Sequence, residues 1–523
     1  MRTVVGQGHD GPGEHDDRGE AATSDTRIPA PRFTVLTPRP VAPVSGPLAY
    51  AVPTPLANPF SGPTPRQAPA GPPSAPAPDP LPTPTETGPT TPARPAPRPA
   101  TVEIPALTGL RAVAAVWVLL HHLSFLPVTG YAGWFEPIDP LIAAGPLGVD
   151  LFFALSGFLL ARSYLDRWRG APRRRQALGF VWARLARVWP LYAVVVVLAG
   201  LWCAARAVLG SDGVITWQGA QPGLDPVSWL RQLTMTQMWD TGGIDGVSFV
   251  LPAWSISAEW AAYLAFPLLA GGAWFLRGRP RPVLAVLAVL AASPTAGIAV
   301  LNALEGSWDG FWAVRLAAGF SAGVLTWLVV RRVPRTRTVS RWAHHLLLLA
   351  LAEVGVVVYW AATAPATATL SADARVFLAA PLMPVVIGAL ALTDGPVARA
   401  LGTRPLRHGG RISYALYLVH FLLIEVALVA MTRIPALAPD TAAAALLVPQ
   451  LVVLAVALAH LAYRFVEEPA QAWMRDKDPS RRRGSARRDV VVTRRAEATP
   501  PSARRAVGRR GGSHAARPAA AAA

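Results

Sequence analysis

Arg111 and His122 stand eleven residues apart in a stretch, Leu107 to Leu123, that is otherwise almost wholly apolar. On a helix, eleven residues make about three turns, so both side chains leave from one face, roughly 16 Å apart along the axis. An arginine at one end of such a face can hold an anion. An imidazole further along can take or give a proton near neutral pH. His121 points about 80° away from Arg111 by the same geometry. The pair alone does not choose its chemistry: an arginine can also snorkel toward the interface, and histidines also make structural hydrogen bonds.

Other polar residues recur in apolar surroundings. Arg184 and Arg187, at i and i+3 in Arg-Leu-Ala-Arg-Val-Trp-Pro, share a helix face and suit phosphate groups; they are equally suited to anchor a helix end. Glu259 lies in Trp-Ser-Ile-Ser-Ala-Glu-Trp and needs a partner or a polar cavity, as does Arg315. Asp150, in Gly-Val-Asp-Leu-Phe-Phe, fits a buried acid or a helix mouth. Tyr417 and His420 share a face, and a structural hydrogen bond accounts for either residue alone. His460 reads as a packing or interfacial residue. Cys203, the single cysteine, reads as a small packing residue and leaves no disulfide framework or cysteine-rich metal site. No metal cluster is expected.

The elements that must position these groups are membrane helices. The chain is 52% hydrophobic and 15% charged, against about 25% charged in a soluble domain. Apolar runs of spanning length fall near 105–126, 143–163, 188–208, 251–276, 283–303, 310–330, 343–364, 374–394, 410–431 and 446–466. Twenty arginines occupy the segments 162–187, 277–282, 331–341 and 395–411, whereas the alternate loops and their edges hold only Arg206, Arg231, Arg375 and Arg433. The positive-inside rule makes the first set cytoplasmic and puts both termini inside, which requires an even number of spans; ten satisfies every loop. The net charge of +18 follows from this distribution and from a basic tail, so no nucleic-acid partner is expected. Residues 1–103, dense in Pro, Ala and Thr, and residues 471–523, rich in Arg and Ala, read as disordered tails flanking a membrane domain at 104–470.

Six segments in order resemble the acyltransferase-3 family of membrane O-acyltransferases: LTGLR with its histidine eleven residues on, GVDLFFALSGF, RLARVWP, WSISAEW, GRISYALYLVH and YRFVEEP. The resemblance covers about residues 104–470. It implies transfer of an acyl group, often acetyl, from acyl-CoA to a hydroxyl of a carbohydrate, cell-envelope glycan, glycoconjugate or polyketide. By that resemblance His122, Arg111 and Glu259 are the catalytic candidates, and Arg184 and Arg187 the candidates for binding acyl-CoA. The family often has Asp where this chain has Thr108, so a role for that acid does not carry over.

The expectation is therefore an all-α, multi-pass bundle in the cell membrane, surrounded by lipid, with a buried polar cavity. Acyl-CoA serves as donor substrate and no cofactor is permanently bound. His122 acts as general base or as a covalent acyl relay, and the sequence leaves both open. The competing readings are a transporter or flippase that uses the same polar path without chemistry, and a catalytically silent membrane scaffold. The arginine pair favours the enzyme, because a flippase has no need of a CoA-phosphate clamp.

Overall fold

The computed structural model describes residues 103–480, apart from 129–135, 209, 211–221, 245, 306–309 and 366–367. Of the tails expected at 1–103 and 471–523, residues 1–102 and 481–523 lie outside the described residues. Among the described residues there is no strand. The long helices are α1 (Pro105–Leu123), α2 (Leu147–Trp168), α3 (Arg174–Val208), α4 (Trp254–Leu276), α5 (Arg281–Glu305), α6 (Phe311–Val330), α7 (Arg337–Thr363), α8 (Ala372–Leu392), α9 (Arg404–Arg433) and α10 (Ala442–Ala462).

Nine of these, all but α4, are long and apolar enough to cross a membrane. The protein is a multi-pass membrane protein built of helices, because only internally hydrogen-bonded elements survive in lipid. The fourth expected span is present as a 23-residue helix. Its serines, Glu259 and tryptophans dilute the hydropathy; its first turns are interior, with Ser255, Ile256, Ser257 and Ala258 all buried, while Leu268 and Phe275 further along are exposed.

Two helices differ from the apolar runs that announced them. α3 has 35 residues, with Pro190 inside it, so it is about 52 Å long against a hydrocarbon layer of about 30 Å. Arg184 and Arg187 therefore sit roughly 15 and 20 Å along a continuous helix rather than in a loop. α8 is interrupted: a 3-10 segment, Phe377–Leu382, carries Pro381, and Pro384 opens the helix that follows. Proline removes an amide donor and clashes with the preceding turn. Beyond residue 470, where composition suggests a tail, the helix Glu468–Asp476 continues. It is held by the Trp182 indole donating to the Met474 carbonyl (2.7 Å), and Met474 is buried.

The site is framed by close helix pairs. α1 packs along α9, and α2 along α6. A methyl group at Gly323 would fall on the Ala154 carbonyl, and one at Gly157 on the Phe320 carbonyl. Only glycine lets the α2 and α6 backbones approach so nearly, which is how helices gain van der Waals contact where lipid supplies no hydrophobic drive. Gly410 of α9 does the same beneath the Thr108 carbonyl of α1. Just before α1, Glu103 accepts from Arg407 (2.8 Å) and also faces Arg411. The Arg407 hydrogen bond holds its carboxyl below the usual range. This tie between the starts of α1 and α9 is present at neutral pH and is lost on acidification through that lowered range.

Candidate active site

Helix phase puts Arg111 and His122 on one face of α1, α1 packs along α9, and His122 meets His420 of α9. Arg111 and His122 open into different cavities.

The first cavity, about 130 Å³, is lined by Arg111, Arg184, Arg187, Glu259 and Tyr263, among others. Four of the five expected site residues thus share one space between α1, α3 and α4. The Tyr263 hydroxyl donates to Glu259 Oε1 at 2.6 Å, as the i, i+4 spacing on α4 allows. Arg184 lies over the Tyr263 ring at 5.9 Å and Arg187 over the Tyr414 ring at 5.7 Å. These aromatic faces steer the guanidinium planes. The Arg184 Nε is buried without a hydrogen-bond acceptor. Arg187 instead pairs with Glu467, an almost fully buried carboxylate at the end of a π-helical turn, Tyr463–Glu467. A π turn inserts an extra residue per hydrogen-bonded ring and re-aims the side chains that follow. The two arginines of this motif are therefore not equivalent: among the described residues Arg187 pairs with a carboxylate and Arg184 does not.

The second cavity, about 470 Å³, holds the histidines; Arg315, Asp373, Trp254 and Phe377 also line it. His122 Nδ1 lies 2.8 Å from His420 Nε2. The rings are nearly parallel, with centroids 5.0 Å apart. His121 reaches this cavity too, but its Nδ1 is 3.1 Å from the Ile142 carbonyl, which ties it to the short helix Asp139–Ala143. Val149 and Tyr417 line both cavities, so the two spaces abut there. The Tyr417 hydroxyl is fixed by the Pro252 carbonyl (2.9 Å) and Ser255 Oγ (2.7 Å).

Asp150 is buried and pairs with Arg315 of α6. Arg315 Nε donates to Oδ1 at 3.0 Å, and Nη2 donates to Oδ2 and to the Pro146 carbonyl at 2.9 Å each. Trp254, Phe311 and Phe377 surround the guanidinium, with ring centroids 5.1, 5.5 and 4.7 Å away. The ambiguity over Asp150 resolves to a buried acid with a bidentate partner. His460 pairs with His408 at an exposed position (3.1 Å), and Cys203 is buried in the core.

Sequence reading missed three partners: His420 for His122, Glu467 for Arg187, and Tyr263 for Glu259. The last was accessible from its four-residue spacing. The first two join helices far apart in the chain. No group of His, Cys, Asp or Glu among the described residues is arranged to hold a metal ion.

Comparison with known proteins agrees with the six-segment resemblance. An acyltransferase domain model, that of the acyltransferase-3 family, matches residues 104–464. Acyltransferase MdmB of Streptomyces mycarofaciens is 31% identical over 351 residues, 62% of this chain and 80% of that protein. Protein 2 in the picA locus of Rhizobium radiobacter is 31% identical over 189 residues, 35% of this chain and 89% of that protein. The peptidoglycan O-acetyltransferase OatA of Listeria monocytogenes is 35% identical over 65 residues, 12% of this chain and 8% of that protein. No solved structure matches the chain. With the family model covering most of its length, five of the six motifs falling within the matched region and the sixth beginning at its end, the chain belongs to the acyltransferase-3 family and is a multi-pass membrane acyltransferase.

Proposed function

We propose that the protein moves an acyl group, commonly acetyl, from acyl-CoA held at the arginine-lined cavity to a hydroxyl of an acceptor seated in the histidine-lined cavity. The observation that carries this reading is the meeting of the two cavities at Val149 and Tyr417, cationic on one side and basic on the other. Guanidinium groups match the phosphates of CoA in charge and in planar geometry. An imidazole suits proton removal from a hydroxyl. In the direct form of the reaction, His122 takes the hydroxyl proton as the oxygen attacks the thioester carbonyl. The new C–O bond forms, the C–S bond breaks, and CoA leaves as its thiol with a proton. In the covalent form, His122 carries the acyl group between the two. Arg111 binds CoA or offsets charge developing at the carbonyl oxygen. Glu259, with Tyr263, orients the arginines or the acceptor. Acyl-CoA is a substrate in either form and no resident cofactor is invoked.

The acceptor class is a hydroxyl-bearing carbohydrate, envelope glycan or polyketide. The Listeria relative, by its name, acts on peptidoglycan, but it shares only a short segment with this chain. The aromatic walls of the second cavity, Trp254, Phe125 and Phe377, favour an acceptor with an apolar face.

The arginine excess assigns the arginine-lined end to the cytoplasm, both termini with it, in the cell membrane. A cysteine placed at Leu224, in the segment between α3 and α4, tests this orientation; Leu224 is exposed and the native Cys203 is buried. An impermeant maleimide should label Leu224→Cys in intact cells. Labelling that needs permeabilisation would invert the topology.

The function itself is tested with purified protein in lipid nanodiscs, by following CoA thiol release with acetyl-CoA and candidate acceptors. Release should require an acceptor, and free acetate should not replace the thioester. Arg184→Ala should weaken acetyl-CoA binding by roughly 1–3 kcal/mol, the value of a lost charge-assisted hydrogen bond. Arg187→Ala should also lower stability, because it leaves Glu467 buried without its partner. Unchanged acetyl-CoA affinity in Arg184→Ala would reduce that arginine to a topology anchor.

A further inference from the structure

His420 is buried to 1% exposure in α9, and its two ring nitrogens have different partners. Nδ1 lies 2.9 Å from the Leu416 carbonyl, and Nε2 lies 2.8 Å from His122 Nδ1. A carbonyl oxygen can only accept, so the His420 Nδ1 carries a proton. An imidazolium would carry protons on both nitrogens, but no carboxylate pairs with His420 among the described residues. Phe421 of α9 and the Tyr417 ring flank it instead. An unpaired charge at such a place is costly, so the ring is neutral. A neutral imidazole with its proton on Nδ1 offers a lone pair at Nε2. His122 must then donate to it from Nδ1, and the free lone pair of His122 falls on Nε2. With Nδ1 committed, Nε2 is the nitrogen His122 offers to the cavity it lines.

We infer that His420 is a positioning residue that, anchored by the Leu416 carbonyl, holds His122 in the Nδ1–H tautomer, so that His122 Nε2 is the basic atom presented to the acceptor hydroxyl. The relay runs from the Leu416 carbonyl through His420 to His122. It fixes ring orientation as well as tautomer, as a buried partner does for a catalytic or metal-binding histidine. The same chain supports His122 after it has taken a proton, because the His420 lone pair still faces the Nδ1–H. His121 has a different partner, the Ile142 carbonyl, and no such relay. This inference rests on the proposed role of His122 as the base. It adds which atom acts and what holds it.

Two measurements test it independently. In full-length protein labelled with ¹⁵N-histidine and held in nanodiscs, the His122 signals are identified by their loss in His122→Gln. At neutral pH they should report a protonated Nδ1 and an unprotonated Nε2. In His420→Phe, which keeps the ring shape but removes the acceptor, that preference should disappear. Turnover should fall at least about tenfold, within the roughly 10²–10⁴-fold that a general base supplies, while KM for acetyl-CoA stays unchanged. His420→Gln, whose amide oxygen can accept from His122, should recover most of the turnover. In a His122→Ala background, His420→Phe should cause no further loss. A proton found on His122 Nε2, or equal impairment of the Phe and Gln variants, overturns the inference. Full activity of His122→Ala would instead overturn the base assignment, and the tautomer spectrum would still report on the relay.

Discussion

Replacing His122 with alanine is expected to lower acyl transfer by about 10²–10⁴-fold, the usual contribution of a positioned general base. Folding and acetyl-CoA binding should stay near normal. Three observations motivate this expectation. His122 lines the histidine cavity, its partner His420 is buried, and the cavity abuts the one that holds the arginines. The donor groups lie in the other cavity, so the loss should appear in turnover and not in donor affinity. His121→Ala should be milder, because the His121 ring is held to the Ile142 carbonyl and not to His420. Arg111→Lys keeps the charge but loses the planar fork, so it too should impair turnover. The check is CoA release by purified variants with a functional acceptor. Near-wild-type turnover in His122→Ala beside an inactive His121→Ala would exchange the roles of the two histidines. Full turnover in both would remove histidine from the chemistry.

The second large effect is on stability. Asp150 and Arg315 form a bidentate pair between α2 and α6, at 3% and 6% exposure. Removing one partner leaves the other charge buried and uncompensated, which typically costs about 3–5 kcal/mol. Set against a total stability of roughly 5–15 kcal/mol, that is a large share. Asp150→Leu should therefore accumulate poorly and melt far below wild type. The double variant Asp150→Leu/Arg315→Met removes both charges and replaces them with apolar groups, and it should recover most of the lost stability. Thermal melting in nanodiscs separates the cases. A double variant no more stable than Asp150→Leu would show that the cost lies in packing along the α2–α6 seam, where Gly157 and Gly323 bring the backbones together.

Much of this protein is written locally. Bilayer-length apolar runs of about 20 residues, too long for barrel strands, determine that it is helical and membrane-embedded, because a helix satisfies every backbone group within its own segment. The 3.6-residue period places Arg111 and His122 on one face of α1, and the same period predicts that Arg184 and Arg187 share a face of α3. The convergence of Arg111, Arg184, Arg187 and Glu259 on one cavity follows from those faces once the helices are assembled. The six ordered motifs carry the family.

Partner choice across helices was decided by tertiary structure alone. His122 meets His420 across 298 residues, Asp150 meets Arg315 across 165, and Arg187 meets Glu467 at a π turn. Each pairing depends on the register and rotation of two helices against each other. Small residues set that register at a few contact points, such as Gly410 beneath the Thr108 carbonyl. Helix phase says which side of a helix a residue occupies. It does not say which helix faces that side, so the separation of cations and imidazoles into two abutting cavities exists only in the packed bundle.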